Sequence, residues 1–596
     1  MDTNSLDGRS LYNAFISGAN AVIKQKNSLN KINVFPVPDG DTGTNLSSTM
    51  KSIIETSVFN ESAKETLKSI SEAALIGARG NSGIIFAQFV NGIYYELGDE
   101  ESINHKTFGS LLKRAVPYAY NAISNPIEGT MITVMKEWSE AVYSYQAKTN
   151  NLFEQLTLSL QAAVEALHDT PNKLKILKEN SVVDSGAKGF LHFLEGFVEY
   201  IISGKLKEAE YTEEEASAIE ISEEHNNTAA ELSFRYCTEA LLSGEALSAD
   251  NIKRSISNLG DSIVVAGGNK KVRVHIHTDE PSKVISKLAL FGKIIQQKAD
   301  DMKKQKEIVT NRLSNIALVT DSIADLPQAI IDKYQIHVIP LNILMDGAEY
   351  LDKLTITSDM FYKTIDKVKE FPTSSQPSIK SIENLFSFLT SHYSSVIALT
   401  VSKELSGTYA NIKKVADKFN GEGKLITVIN SKLNSGAEGL VVMKAAEAIN
   451  KGKTHYEVVE MIEDYISKTK IYVSVNTLKY MIRGGRIAPL KGVLAKVLNL
   501  KPIVTLDEHG KGAALGKAYS RNGSTKLIIK QIEELKKHHK IKSYSIVHGN
   551  APEKALEYKT AFSKIIGFEP EYITEISSII AMSAGMGSVA VSLILQ

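Results

Sequence analysis

Between Leu11 and about residue 203, apolar residues recur at helical spacing almost without a break, whereas from Asn315 onward they come in short continuous runs. The two patterns demand different architectures. Leu11, Ala14, Phe15, Ala19, Val22 and Ile23 share one helical face, and the same spacing recurs over 63–77, 82–97, 106–123, 129–146, 151–168 and 186–203. Short loops between these segments predict antiparallel neighbours in a bundle. After Asn315, Ile316–Val319, Ile336–Ile339, Val396–Val401, Leu425–Ile429, Ile471–Val475 and Tyr544–Val547 read as buried strands between amphipathic helices. That alternation predicts a mainly parallel, covered sheet.

Between these regions, Leu232–Cys237, Asp261–Ala266 and Lys271–His277 read as strands around helical stretches near 249–258 and 281–292, a small α/β domain. Residues 293–313 carry Lys303-Lys-Gln-Lys306 and read as a connecting helix. Glu213-Glu-Glu215 and Glu223-Glu224 mark an acidic, solvated linker. A chain of 596 residues exceeds what one core supports. The expected domains are 1–203, the linker 204–229, 230–313 and 314–596.

The most specific stretch is Val34-Phe-Pro-Val-Pro-Asp-Gly-Asp-Thr-Gly-Thr-Asn45. Prolines fix φ on the approach, Gly40 and Gly43 permit close turns, and Asp39 and Asp41 are held one residue apart. A helix starts near Asn45, so hard oxygen ligands stand beside unpaired N–H groups; this suits Mg²⁺ on nucleotide phosphates, with Thr42, Gly43, Thr44 and Asn45 around them. Gly77-Ala-Arg-Gly-Asn-Ser-Gly83 offers Asn81, Ser82 and Gly83 at a second helix start. Glu128-Gly-Thr130 and Asp184-Ser-Gly-Ala187 repeat the arrangement with Thr130, Asp184 and Gly186. Each alone is a cap; four together can converge on one nucleotide if the bundle closes as a barrel.

In Lys271–His277 the alternation places His275 and His277 on one strand face, and Cys237 supplies a thiol. Two imidazoles and a thiolate suit Zn²⁺; two histidines on a solvated face and a buried cysteine are the plain alternative.

Lys+Arg and Asp+Glu are both 68, so no overall field favours nucleic acid. A lone cysteine fits a reducing compartment, and Met1–Asp7 shows no signal-peptide pattern, so the cytoplasm is expected. Ile576–Gln596 carries no charge, but its serines and glycines favour a buried strand and helix over a membrane span.

In the C-terminal region, Thr320-Asp-Ser322, Thr373-Ser-Ser-Gln-Pro-Ser378 and Thr400-Val-Ser-Lys-Glu-Leu-Ser-Gly-Thr-Tyr409 are loops at or near strand ends, where ligands bind in open α/β folds. Arg483-Gly-Gly-Arg-Ile487 completes the set.

These motifs carry two resemblances. The Asn33–Asn45, Gly77–Gly83, Pro126–Thr130 and Val183–Lys188 stretches resemble the nucleotide-binding domain of dihydroxyacetone kinases, in the version found in bacterial fatty acid kinase. The resemblance implies an eight-helix barrel holding ATP through two Mg²⁺ ions on Asp39 and Asp41. A third metal-ligand Asp of that family falls at Asn33 when a one-residue insertion is allowed. The central segment is similar to the middle domain of the fatty acid kinase subunit, which implies Zn²⁺ on Cys237, His275 and His277. The C-terminal region resembles the DegV family, whose members bind long-chain fatty acids. That likeness assigns Ser374, Ser375, Ser402, Ser406, Gly407, Thr408, Arg483 and Arg486 to the carboxylate end of the ligand. The chain departs from that family at Lys403, often Ser, and at Ser583, where His is expected. Together the resemblances imply phosphoryl transfer from MgATP to a fatty acid, a homodimer, and an acyltransferase that consumes the acyl phosphate. The alternatives are a dihydroxyacetone-type kinase with a regulatory lipid domain, and a non-enzymatic, nucleotide-responsive lipid-binding protein.

Overall fold

The computed structural model describes residues 5–36, 40–206, 232–477, 479–484, 501–518 and 520–596. Asp39, Arg486 and nearly all of the acidic linker lie outside the described residues. The chain divides into two compact units, Met1–Lys303 and Lys304–Gln596.

The first unit is built on eight long helices: Gly8–Lys24, Thr42–Thr56, Ala63–Gly77, Gly80–Glu96, His105–Ala122, Met131–Tyr145, Leu152–His168 and Ser185–Ser203. Each packs on the next and the last closes on the first, which makes the barrel. Aromatic rings fill its centre. Phe193 lies edge-on to Phe86 with centroids 4.8 Å apart, and Phe15, Phe108, Trp138, Phe190 and Phe197 continue the cluster. Such ring pairs contribute about 0.5–1.5 kcal/mol each beyond their buried area. Side-chain caps set several helix starts: the Asn104 side chain accepts from Lys106 and Thr107 N–H, and that of Asn151 from Phe153 and Glu154 N–H.

The same unit carries a four-stranded antiparallel sheet in the order Asp261–Gly267, Lys271–Thr278, Tyr236–Ser243, Lys293–Asp301, with helices Ala249–Ile256 and Pro281–Leu288. It docks on the barrel: Ser124 N–H donates to the Ile263 carbonyl at 3.0 Å, and Gly267 N–H donates to Gln88 Oε1 at 2.9 Å. The connecting helix expected over 293–313 is corrected here, since Lys293–Asp301 is a strand and only Met302–Thr310 is helical. Lys, Gln and Ala favour helix in isolation, but pairing along the whole of Tyr236–Ser243 overrides that preference.

The second unit contains a parallel sheet ordered Ile426–Asn430, Ser395–Thr400, Ile316–Asp321, His337–Ile339. A second sheet has six strands, ordered Gly512–Ala518, Lys501–Leu506, Thr469–Ser474, Val589–Leu595, Ile541–His548, Ile573–Glu575, antiparallel except for the last pair. The apolar runs near 471 and 544, grouped by pattern with the parallel strands, belong to this second sheet. Helix Ser435–Asn450, buried on nearly all sides, packs against strands of both sheets. The uncharged C-terminal stretch forms helix Ser578–Ala584 and strand Val589–Leu595. Among the described residues no helix is long and apolar enough to cross a membrane.

Candidate functional site

Helix Thr42–Thr56 begins at Asp41, whose side chain makes no capping bond. Asn30 takes that task instead: its Oδ1 accepts Thr44 N–H at 3.0 Å and its Nδ2 donates to Thr44 Oγ1 at 3.0 Å. The Asp41 carboxylate acts through space on Lys298 and Cys237. Glycine is required at 43, where a Cβ would lie 2.1 Å from the Lys26 carbonyl oxygen. Buried Asn33 accepts the Thr42 hydroxyl at 2.7 Å.

The other helix starts close around this one. Gly80, at φ +57°, leaves room for Asn45, whose Nδ2 would stand 2.5 Å from a Cβ there. A Cβ at Gly83 would meet Thr49 Oγ1 at 2.5 Å, and one at Gly186 would meet Ser82 Oγ at 2.7 Å. Asp184 accepts Ala187 N–H at 2.7 Å and also binds the Met131 and Gly186 backbone; burial pushes its carboxyl up to about 7. Thr130 donates to the Ile127 carbonyl at 2.9 Å at the start of Met131–Tyr145. The structure thus brings Asn45, Ser82, Gly186, Asp184 and Met131 together. Asn81 Oδ1 is buried and, among the described residues, has no hydrogen-bond partner. An orphaned acceptor at the start of helix Gly80–Glu96 fits a site that receives a donor or a metal ion.

The sheet brings a second set of groups. Register places Cys237 opposite His277 and Asp300, and Glu239 opposite His275 and Lys298. Directly paired residues, and residues two apart on a strand, share a face, so all six project together. Cys237 Sγ is 3.7 Å from His275 Nδ1, and one ligand atom from each of Cys237, His275 and His277 fits within 4.8 Å. Two ligands on tetrahedral zinc stand about 3.5 Å apart, so the donor set fits that ion. Burial, then His275, holds His277 down to about 3, which keeps it the neutral base a metal needs, and burial raises the Cys237 thiol. Although burial opposes it, the Glu239 carboxylate stays well below its usual range because His275, Arg273, Lys298 and Arg79 surround it.

Glu239, Arg79, Arg273, Lys298 and Asp300 were not among the sequence candidates. Glu239 was within reach, two residues after Cys237 on one strand. Lys298 and Asp300 were hidden by the helical reading of their strand.

In the second unit, Ser374 lies half-buried on strand Thr373–Ser375 and Ser375 is exposed. This loop meets the next one: a Cβ at Gly407 would lie 2.2 Å from Gln376 Oε1, and Asn411 Nδ2 donates to the Pro377 carbonyl at 3.1 Å. Ser406 Oγ and Thr408 Oγ1 are 2.8 Å apart where helix Thr408–Gly421 begins. Ser402 is fully buried and donates to the Gly510 carbonyl at 2.9 Å, a bond that ties its loop to a neighbouring turn. Lys403 is exposed, and Ser583 lies half-buried in helix Ser578–Ala584. The Arg483 guanidinium sits 4.7 Å over the Phe371 ring, two residues before Thr373.

Three family models match the chain in order. A DAK2 domain covers residues 36–199, a middle domain of the fatty acid kinase type covers 233–309, and the DegV family of uncharacterised proteins covers 315–596. The chain is a fusion of these three domains. An uncharacterized protein of Staphylococcus saprophyticus is 34% identical over 318 residues, which is 51% of this chain and 57% of that one. Another from Staphylococcus aureus is 33% identical over 326 residues, 53% of this chain and 59% of that one. The matched region thus spans less than two thirds of these relatives. Among solved structures, a fatty-acid-binding DegV family protein of Thermus thermophilus is 28% identical, covering 47% of this chain and 99% of that one, with a TM-score of 0.44.

Inside the DegV-family domain lies a buried acidic group whose Asp321 belongs to the Thr320-Asp-Ser322 loop, while Asp325, Asp352 and Glu438 were not among the sequence candidates. Asp325 accepts from Ser435 Oγ at 2.6 Å and Ser577 N–H at 2.8 Å and pairs with Lys353 at 3.1 Å. Asp352 accepts from Ser322 Oγ at 2.8 Å and Ser578 N–H at 3.0 Å. Asp321 accepts Val401 and Ile323 N–H. Burial pushes Asp321 and Asp352 up to about 6. Glu438 is raised well above its usual value by burial and then by Asp321 and Asp325, and its Oε2 has no partner among the described residues.

A carboxyl raised in the folded state binds its proton more tightly folded than unfolded. Its stabilisation is complete below about pH 4, the unfolded value, and is lost as pH rises through the folded value. Glu438→Gln keeps the shape and removes that loss. The variant should gain on the wild type by about 1.4 kcal/mol for each pH unit between those two values. Thermal melting at pH 5, 7 and 9 checks this, and a difference that stays constant across that range would contradict it.

Proposed function

We propose that this chain transfers the γ-phosphoryl group of MgATP to the carboxylate of a fatty acid held in the DegV-family domain, giving an acyl phosphate that an acyltransferase would consume. The observation that carries the reading is the meeting, in the first unit, of the Asp41 loop with the helix starts at Gly80, Met131 and Ser185. Backbone N–H groups at helix starts bind phosphate, and a carboxylate beside them suits a hard cation. Asp41, with Asp39 beside it in sequence, would hold Mg²⁺, which supplies charge neutralisation to the phosphates. Cys237, His275 and His277 would hold Zn²⁺.

The carboxylate oxygen attacks the γ-phosphorus, the bond to the bridging oxygen breaks, and ADP leaves with the electron pair. A fatty acid is already ionised at neutral pH, so the acceptor needs no general base. The protein's work is then orientation and charge stabilisation. In the DegV-family domain Ser374, Ser406 and the N-terminus of Thr408–Gly421 would aim the head group. Each buried methylene of the acyl chain would add about 0.8 kcal/mol of affinity.

Native mass spectrometry of protein purified from cells tests the acceptor. One fatty acid per chain is expected, displaced by added palmitate. A chain that carries no fatty acid and takes up none, while still transferring the γ-phosphoryl group of ATP to the hydroxyl of a small acceptor, would replace this reading with a dihydroxyacetone-type kinase.

A further inference from the structure

The Cys237–His275–His277 cluster and the helix start at Gly80 meet at one side chain. Glu239 is 1% exposed. Its Oε1 accepts Gly80 N–H at 2.6 Å and stands 3.7 Å from His275 Nδ1, the same nitrogen that faces Cys237 Sγ. Its Oε2 is 3.2 Å from Arg273 Nη2 and 3.4 Å from Arg79 Nη1. Arg273, also 1% exposed, is fixed from its other end by Gln296 Oε1 at 3.1 Å. His275 Nε2 is buried with no partner among the described residues.

We propose that Glu239 is a positioning residue that couples the two sites, so that metal bound at Cys237, His275 and His277 tightens nucleotide binding at the Asn81–Ser82 helix start.

A carboxylate is lodged here where a phosphate would otherwise be welcome. The first N–H of helix Gly80–Glu96 donates to Glu239, whose negative charge faces the same helix end as the nucleotide phosphates. A divalent cation held by Cys237, His275 and His277 would stand beside that carboxylate, which faces the same His275 nitrogen as the thiol, and would offset its charge. It also fixes the carboxylate, and through the 2.6 Å bond the Gly80 N–H, in one geometry. Carboxylates that support metal-bound histidines typically change metal affinity by about 10–100-fold. Linkage is reciprocal, so nucleotide must favour metal by the factor with which metal favours nucleotide.

This inference rests on the metal and nucleotide readings proposed above, and the test separates their failures from its own. MgADP affinity is measured by calorimetry on the full chain, stripped of metal and reloaded with Zn²⁺, for the wild type, Glu239→Gln, and the double variant Glu239→Gln/Arg273→Met. The double variant removes the two fully buried charges together, and Arg79, which also faces Glu239, keeps access to solvent with its side chain 32% exposed. Co²⁺ affinity is read from its thiolate absorption. In the wild type, reloading should tighten MgADP about tenfold. In either variant the metal-loaded and metal-free affinities should agree within about twofold, with Co²⁺ affinity down by about 10–100-fold. Equal MgADP affinity with and without metal in the wild type overturns the coupling. A tenfold ratio that persists in the folded variants overturns the role of Glu239. A wild type that takes up neither Co²⁺ nor Zn²⁺ overturns the metal reading and the coupling with it. One that loads metal but binds no MgADP overturns the nucleotide reading and again the coupling.

Discussion

Asp41→Ala should weaken MgADP binding by about a hundredfold or more and remove ATP turnover while leaving the melting temperature nearly unchanged. Removing even an outer partner of a metal site costs about 10–100-fold, and a direct ligand costs at least the upper end of that range. The folding cost is small because Asn30 caps helix Thr42–Thr56 and Asp41 makes no capping bond. The charge change should also be felt at the sheet, since Asp41 acts on both Lys298 and Cys237. Calorimetry with MgADP, paired with thermal melting, checks both halves. Undiminished nucleotide affinity would remove Asp41 from the metal site, and a large drop in melting temperature would assign it to the fold.

The second large effect concerns the Cys237 cluster. Protein made without chelators should contain about one zinc per chain, and Cys237→Ser and His275→Ala should each lose it. Burial keeps His277 neutral over the working pH range, so metal does not have to displace a proton there. Because strands Tyr236–Ser243 and Lys271–Thr278 supply all three ligands, loss of metal should also lower the stability of the sheet between them. Elemental analysis that finds no metal in the wild type would leave two buried histidines beside a half-buried cysteine, not the solvated face of the plain alternative.

Much of the barrel was legible because its signals are local. The segment 63–77 is a helix with those bounds, since its apolar stripe begins directly after the Ser62 cap. The fourfold repetition of small polar helix starts was also visible; their convergence follows from closure of the barrel, which no single segment states. What could not be read is non-local. Lys293–Asp301 has helix-forming residues and becomes a strand only through its partner, and with it went Lys298, Asp300 and the polar sheet face. In the C-terminal unit, apolar runs at 471 and 544 carry the same pattern as those at 316 and 396. Only pairing partners distinguish the antiparallel sheet from the parallel one. The buried acids had a similar fate: Asp321 and Asp325 are close in sequence, but Asp352 and Glu438 are distant and join them only through tertiary packing. In the loops, the serines were found by type, but their tasks divided: Ser402 is used inside the fold, while Ser374 and Ser406 remain nearer the surface.

Acyl-phosphate formation tests the central claim most directly. Zinc-loaded, full-length protein is incubated with palmitate, MgATP and hydroxylamine, which captures an acyl phosphate as the hydroxamate. Hydroxamate and ADP are expected in equal amounts, dependent on both fatty acid and Mg²⁺, and absent with Asp41→Ala. ADP release that is indifferent to fatty acid, with no hydroxamate formed, would contradict that claim.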